Sequence, residues 1–446
     1  MTAAPDLEAI VLAPLVGIGR RFLFLAAALL AVVLVGAGAY ALQLAEGLRV
    51  TGMADTQNKQ MYGIYIINFV FFIGISHAGT LISAILRVTK AEWRLPITRM
   101  AEFITVVALT VGGLMPIIDL GRPDRLLNLL MYGRWNSPIL WDFFSITTYL
   151  FGSLIYLFIP LIPDLALCRD RLAGRVSPPK RAFYEIFSVR WRGTPLQWRR
   201  LATALTVMMV VIIPVAVSVH TVVSWIFAMT LRVGWNTAVF GAYFVAGAIF
   251  SGTATLILVM AILRRTFRLH AVIADRQFTN LGLLLAGLSG IMLYFNLSEL
   301  VTVGYKLEEG EGFFLDSILV GAFAPWFWAY ILGLASPAIL MLVPKTRSFW
   351  GVIVAAVVVD VAMWIERYII VVATLRVPQM PYTDLANYLP SAVELAITAG
   401  AFALFALLIA AFTKIVPIVS VWELRHGAPA SRAAPEAMPA AAAVQA

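Results

Sequence analysis

The chain has few of the residues on which disulfide scaffolds and metal centres depend. Its 446 residues include one cysteine, Cys168, and four histidines. A single cysteine excludes an intrachain disulfide framework and any zinc or iron–sulfur site that needs several cysteine ligands. Charged residues make up only 13% of the chain, whereas soluble domains average about 25%.

Hydrophobic residues make up 61% of the chain, and the mean hydropathy is +0.89. A water-soluble fold cannot bury this much apolar surface, so its solvent must be lipid. Because a spanning helix needs roughly 20 mostly apolar residues, the sequence predicts an all-α integral membrane protein with about ten transmembrane helices. Helices 1 to 10 are predicted at 22–45, 61–88, 98–118, 139–163, 201–228, 236–262, 277–301, 318–343, 349–374 and 389–413.

The positive charges predict the orientation of these helices. Of 33 Lys and Arg residues, 24 lie before helix 1, after helix 10, or in even-numbered loops and the helix ends that adjoin them; 8 lie in odd-numbered loops, and Arg367 lies in helix 9. The positive-inside rule therefore places both termini in the cytoplasm. Loop 4 has the most cations, which are expected to lie against anionic headgroups. The net charge of +9 is thus explained without a nucleic-acid partner.

Helices 2 and 6 resemble each other in sequence. NFVFFIGISHAGTLIS from Asn68 and YFVAGAIFSGTATLIL from Tyr243 share residues at an offset of 175 positions. The similarity favours a duplication of four-helix bundles, helices 2–5 and 6–9, with helices 1 and 10 peripheral; chance similarity between apolar segments is the alternative. The predicted units are 1–60 with helix 1, 61–228 and 229–374 for the two bundles, 375–426 with helix 10, and a disordered Ala/Pro-rich tail at 427–446.

Ionisable side chains within the predicted spans need a partner or a function, because a charge at mid-bilayer costs about 2.5–3.5 kcal/mol even on lenient scales. They are His77, Glu102, Asp142, His220, Glu299, Asp360, Glu366, Arg367 and Glu394, with Asp119 and Arg122 at the outer end of helix 3.

The densest polar segment is 116–144. Asp119 and Arg122 are three residues apart, so they can pair or face a common cavity, and Asp142 begins helix 4 on the same outer side. A partly desolvated carboxylate at this depth is suited to proton exchange near neutral pH. The alternative is an Asp119–Arg122 ion pair that only caps helix 3.

The other ionisable groups suggest a proton route or structural pairs. His77 can accept a proton or bond a polar ligand, although a structural histidine is equally open. Counted from the inner helix ends, His77 and His220 differ in level by roughly 12 Å, which disfavours a shared haem. Asp360 and Arg367 share a face of helix 9 and can form a buried ion pair or, with Glu102, Glu299, Glu366 and Glu394, line a proton path.

Several segments resemble the NrfD/PsrC family, the quinone-interacting membrane subunits of polysulfide reductase-like enzymes and of alternative complex III. The resemblance extends from about residue 60 to 424, and with ten spans the chain looks most similar to the ActC-type subunit. The matching segments are FFIGISHAGTLISAILR from Phe71, DLGRP at 119–123, SPILWDFF at 137–144, YFVAGAIFSG at 243–252 and MWIERYIIVVATL at 363–375.

The resemblance implies a quinol site near the outer face, lined by His77, Asp119, Arg122 and Asp142. Menaquinol or ubiquinol would be the substrate, and this chain would hold no haem, iron–sulfur cluster or metal. The implied partners are an iron–sulfur subunit on the periplasmic side, other membrane subunits including a paralogue, and a cytochrome c subunit. The implied location is a bacterial inner membrane.

The expected function is therefore quinol oxidation by a subunit of a respiratory-type oxidoreductase. Asp119 or Asp142 would take the proton and Arg122 would stabilise the anionic intermediate. Two alternatives remain open at this point: a quinone-reducing anchor of a polysulfide reductase-like molybdoenzyme, and a secondary transporter. Proton translocation would use the ionisable residues of the spans, namely His77, Glu102, Glu299, Asp360, Glu366, Arg367 and Glu394.

Overall fold

The computed structural model describes residues 7–54, 60–88, 91–378 and 387–427. Within these ranges the regular structure is entirely helical. Ten helices are long and apolar enough to cross a membrane, which confirms the all-α membrane class. They are α1 Arg20–Glu46, α2 Ile64–Val88, α3 Thr98–Asp119, α4 Pro138–Arg171, α5 Pro195–Ala228, α6 Phe240–Thr266, α7 Asp275–Lys306, α8 Ala324–Leu342, α9 Phe349–Tyr368 and α10 Ala392–Ile415.

Helices α4 and α5 are longer than the sequence predicted. Each has 34 residues, or about 51 Å at 1.5 Å per residue, whereas the hydrocarbon core is about 30 Å thick. Hydropathy detects only the apolar part of such a helix. The predicted limits at 163 and 201 were therefore wrong by several residues at the ends that lie in the polar region.

The ten helices form two rings and a peripheral pair, as predicted. Neighbours in the first ring are α2 with α3, α3 with α4, α4 with α5, and α5 with α2; the second ring repeats this order with α6 to α9. The rings meet through α2, α5, α6 and α9, while α1 and α10 pack on each other and α10 also contacts α2 and α3. This arrangement places the interior of each ring away from lipid.

Small residues allow the peripheral pair to pack closely. A Cβ atom added to Gly36 of α1 would lie 2.9 Å from the Cα atom of Gly400 in α10. Small residues at such crossings let transmembrane backbones approach each other. The pairing gives α1, which is otherwise largely exposed to lipid, a fixed position.

Both described termini lie at one end of the molecule. The Lys180 ammonium, in the short helix Pro178–Phe187 between α4 and α5, donates hydrogen bonds of 2.5 Å to Leu15 O and 2.6 Å to Lys414 O. We call this the basic end and the opposite one the Asp119 end. The Ala/Pro-rich tail from residue 428 onward lies outside the described residues.

The closest approach between α2 and α3 depends on Gly79. A Cβ atom there would lie 1.7 Å from Ala101 O, so we expect Gly79→Ala to force the helices apart and cost at least about 1–3 kcal/mol, as overpacking does. The melting temperature of the detergent-purified complex should fall. In the control Gly113→Ala the new Cβ has no neighbour within 4 Å, and equal melting temperatures for the two variants would contradict the prediction.

Candidate functional site

Asp119 is the last residue of α3, and its Oδ1 atom is buried without a hydrogen-bond partner in the part of the chain that the structure describes. Its carboxylate lies within electrostatic range of Glu394. Just before α2, burial and the nearby Asp119 carboxylate raise the pKa of the Tyr62 hydroxyl. Asp119 therefore faces the region between the ends of α2, α3 and α10.

The neutral side chain of Gln43, in α1, fixes the end of α3 that carries Asp119. Its Nε2 atom donates to Ile118 O at 2.9 Å, and the Tyr65 hydroxyl donates to its Oε1 atom at 2.6 Å. Gln43 is only 1% exposed. Sequence reasoning considered ionisable residues alone and missed Gln43; an amide in an otherwise apolar span was the available signal.

Arg122 does not pair with Asp119. The chain turns at Gly121, which has a φ of +67°, and Arg122 is exposed on the following segment. Its guanidinium donates to both carboxylate oxygens of Asp124, at 3.0 and 2.8 Å. The suggested helix-capping pair between Asp119 and Arg122 is therefore wrong, because the turn directs Arg122 toward a closer acid.

Asp142 lies in the second turn of α4 and is buried, at 7% exposure, and no described residue bonds its Oδ1 atom. The buried residues Tyr149, Ser153 and Tyr156 follow it at helical spacing along the interior face of α4. Asp142 thus begins a polar column that runs through the first bundle from the Asp119 end.

The column continues through side chains of α2 and α3. The hydroxyls of Tyr149 and Thr105 donate to Ser76 O at 3.2 and 2.6 Å. Nearer the basic end, Ser83 Oγ donates to Glu102 Oε1 at 2.7 Å. The structure therefore places Glu102 in the same column as Asp142, at its opposite end.

His77 and His220 face each other in the middle of this column. Their ring centroids are 3.6 Å apart, and His77 Nε2 makes a short contact with Ala216 O. Both ring nitrogens of His220 are buried, and neither has a partner among the residues described. The predicted difference in level of roughly 12 Å was wrong, because α5 protrudes at the basic end and the inner helix ends do not share a level. The levels of His77 and His220 therefore do not disfavour a ligand that both side chains share.

The acids of α9 also differ from expectation. Arg367 pairs with its neighbour Glu366, and Asp360 Oδ2 accepts a hydrogen bond of 3.0 Å from Thr255. The predicted Asp360–Arg367 pair is wrong, because two helical turns, about 10 Å, separate residues that each have a nearer partner. Cβ atoms added to Gly74 and Gly247 would lie 3.6 and 3.4 Å from Arg367 Nη2, so both glycines make room for the guanidinium between the bundles.

A cavity lies inside the second bundle at the Asp119 end. Its polar lining includes Glu299, Glu366, Asn296 and Tyr330, and about 80 Å³ of it can take the centre of a water molecule. One water needs roughly 10–15 Å³, so several fit. Tyr330 bonds the Tyr243 hydroxyl at 2.8 Å and Asn296 Oδ1 at 2.9 Å, and Thr237 donates to Glu299 at 2.7 Å.

Glu394 holds three segments together. Its carboxylate accepts hydrogen bonds from Gly52 N at 2.7 Å, the Tyr388 hydroxyl at 2.7 Å and Ser391 N at 2.8 Å. These contacts join the start of α10 to the segment before α2. The arrangement favours a structural role over the predicted place in a proton route.

A buried ion pair at the basic end was missed altogether. Arg99 and Asp164 are each 1% exposed at the side chain and pair directly. Asp164 also accepts from the backbone N–H groups of Val421 and Trp422, at 3.2 and 3.1 Å. The predicted spans began at 98 and ended at 163, so both charges seemed to lie at the membrane surface. Within the described residues, no group of three or more His, Cys, Asp or Glu could hold a metal ion.

Comparison with known proteins identifies relatives of this chain. The profile of the family "Polysulphide reductase, NrfD" matches residues 52–379. The chain is 30% identical over 428 residues to a putative dimethyl sulfoxide reductase membrane subunit of Halobacterium salinarum, covering 90% of this chain and 92% of that protein. It is 24% identical over 408 residues to a selenate reductase subunit of Mesobacillus selenatarsenatis, covering 87% and 92%. It is also 24% identical over 334 residues to the Hdr-like menaquinol oxidoreductase integral membrane subunit of Archaeoglobus fulgidus, covering 72% of each chain.

The structural role of Glu394 can be tested by substitution. Glu394→Gln places an amide N–H₂ group among backbone donors, so we expect a loss of about 1–3 kcal/mol in stability and a lower melting temperature of the purified complex. Redox turnover per assembled complex should fall far less than in Asp119→Asn, because Glu394 acts on Asp119 only through its charge. Ser391→Ala, which removes only the capping hydroxyl, should cost about 1 kcal/mol. A Glu394→Gln variant with normal stability and reduced turnover would contradict the structural role and support the predicted place of Glu394 in a proton route.

Proposed function

The chain belongs to the polysulphide reductase NrfD family, and on that premise we propose that it is the quinone-binding membrane subunit of an oxidoreductase complex. The relative from Archaeoglobus is named as a menaquinol oxidoreductase subunit, and those from Halobacterium and Mesobacillus as subunits of reductases. The extent of these matches, over most of each chain, supports the transfer of this general role.

One observation carries the location of the site. Asp119 and Asp142 lie at the same end of the first bundle, and each has a buried carboxylate oxygen without a hydrogen-bond partner among the described residues. An unpaired acceptor in a lipid-surrounded bundle is costly unless a ligand or water bonds it. A quinol supplies the missing donor, since its two hydroxyl groups can each bond a carboxylate.

The chemistry follows from the position of these acids. Oxidation of a quinol releases two protons and two electrons. The carboxylates of Asp119 and Asp142 accept the protons as general bases, and the electrons pass to a redox centre on a partner subunit, because one cysteine cannot ligate an iron–sulfur cluster. In the reverse direction the same acids would donate protons to a quinone.

The partner docks on the segment between α3 and α4 in this proposal. This segment exposes four large apolar side chains, Leu127, Met131, Tyr132 and Trp135, at 64–76%. Exposed apolar patches of this kind mark interaction surfaces, and Arg122 lies on the same segment. A periplasmic iron–sulfur subunit is the proposed occupant, which puts both termini in the cytoplasm of a bacterial inner membrane. The proposed assembly also includes a cytochrome c subunit and a paralogous membrane subunit, as in alternative complex III.

Coupling to proton movement is a further part of the proposal. The first bundle contains the polar column from Asp142 through His77 to Glu102, and the second contains the cavity beside Glu299 and Glu366. Both bundles therefore offer polar groups where protons would have to move. Arg367 lies between the two bundles.

The acid pair is tested by neutral, isosteric substitution. We expect Asp119→Asn and Asp142→Asn each to lower quinol oxidation by the purified complex at least about 100-fold, the lower range for loss of a general base. Asp124→Asn is the matched control, since it removes an exposed carboxylate from the same region. Co-purification of the partner subunits checks that each variant assembles. Wild-type turnover in both acid variants would remove this site assignment.

A further inference from the structure

A second feature of the molecule lies on the side of α2 that faces α9 and α10. The groove between these helices encloses about 520 Å³, within the roughly 300–1,000 Å³ typical of ligand pockets. Its walls carry four phenylalanines, namely Phe71, Phe72, Phe402 and Phe405. The ring centroids of Phe72 and Phe402 are 4.9 Å apart, and those of Phe72 and Phe405 are 5.7 Å apart. Trp364 also lines the groove.

An acid lies in this apolar groove. Asp360 is 11 residues from the start of α9, about 17 Å along the helix axis, which is close to the middle of a hydrocarbon core about 30 Å thick. One of its oxygens accepts from Thr255, and the other, Oδ1, is buried without a partner among the described residues. The groove thus combines aromatic walls with one unsatisfied polar group.

The depth of Asp360 restricts what can occupy the groove. The polar groups of a phospholipid stay at the membrane surface, and its acyl chains carry neither a donor nor an acceptor. A neutral molecule that dissolves in hydrocarbon and carries oxygen on a ring can bring a hydrogen-bonding group to mid-depth. We propose that the groove between α2, α9 and α10 is a second binding site for the ring of an isoprenoid quinone, and that Asp360, as a neutral carboxylic acid, donates a hydrogen bond from Oδ1 to a ring carbonyl.

Size separates the groove from the cavity in the second bundle. An apolar cavity of about 150 Å³ is known to bind benzene. The second-bundle cavity, at about 80 Å³, is too small for a ring and suits water, whereas the groove has room for a substituted ring and part of its tail.

The rim of the groove is held in place by hydrogen bonds. Trp364 Nε1 donates to Asn68 Oδ1 at 3.0 Å, and Asn68 Nδ2 donates to Thr398 Oγ1 at 3.0 Å. These bonds join α9, α2 and α10 and satisfy the polar groups of the rim. Among the residues that line the groove, Asp360 is the ionisable one, and its buried Oδ1 atom has no partner among the described residues.

The site rests on the proposed quinone function but is separate from Asp119 and Asp142. The groove opens toward lipid, and none of its lining residues lies in the segment between α3 and α4 on which the partner docks. It therefore binds quinone from the bilayer without oxidising it. Binding stoichiometry, not turnover, is therefore the direct measurement.

The test measures equilibrium binding of tritiated menaquinone-4 to the purified complex. We expect two sites in the wild type and one in Val361→Trp, because Val361 lines the groove and is 55% exposed. Val354→Trp is the matched control, since Val354 lies on α9 outside the groove lining and is 51% exposed; it should keep two sites. Asp360→Leu should weaken one site about tenfold, the effect of one lost buried hydrogen bond.

The outcomes distinguish the groove from the catalytic site. Two sites of unchanged affinity in Val361→Trp would overturn the groove proposal while leaving the quinone function intact. A phospholipid that stays in the groove and is not displaced by menaquinone-4 would also overturn it. If the wild type binds one menaquinone-4 and Val361→Trp binds none, the result would support the groove and contradict binding at Asp119 and Asp142. No binding to any variant would refute the quinone function and the groove together.

Discussion

A polar atom inside a lipid-surrounded helix bundle can be satisfied only by protein, by a trapped water or by a ligand, and this constraint organises the whole molecule. Arg99 and Asp164 pair at the basic end, Glu394 collects three donors at the opposite end, and the Tyr243, Tyr330 and Asn296 side chains bond one another. Each of these groups joins helices that are distant in sequence. Polar pairing therefore fixes the arrangement of helices whose apolar surfaces are interchangeable in lipid.

Three carboxylates among the exceptions to this pairing mark the proposed sites. Asp119, Asp142 and Asp360 each keep a buried oxygen without a partner among the described residues, although each lies on a well-packed helix. Asp119 and Asp142 lie at one end of the first bundle, next to a segment with exposed aromatic residues, where the proposed quinol oxidation would release its protons and electrons. Asp360 lies near mid-depth, where the proposed quinone ring would reach it from the bilayer. The position of each acid along its helix thus determines which chemistry it can serve.

The sequence was sufficient for the ten spans and the two bundles, because hydropathy and span length report directly on the surrounding solvent. It also pointed to Asp119 and Asp142 as candidates, since any acid in a span is costly, and their role in quinol chemistry stays a prediction. It failed wherever the answer depended on a second helix. Spacing along one helix suggested the Asp119–Arg122 and Asp360–Arg367 pairs, but nearer partners on a turn or on another helix replaced them. The contact of His77 with His220 was missed because helix ends do not share a level, and Gln43 was missed because a neutral amide gives little signal in a hydrophobic span.

The central claim is that the acids at the Asp119 end bond the quinol ring. The most direct test is a structure of the purified assembly with bound quinol. We expect a ring oxygen within about 2.6–3.2 Å of a carboxylate oxygen of Asp119 or Asp142, and we expect the partner to cover the segment between α3 and α4. A ring bound only at the basic end or inside the second bundle, with both acids bonded to protein or water alone, would contradict it.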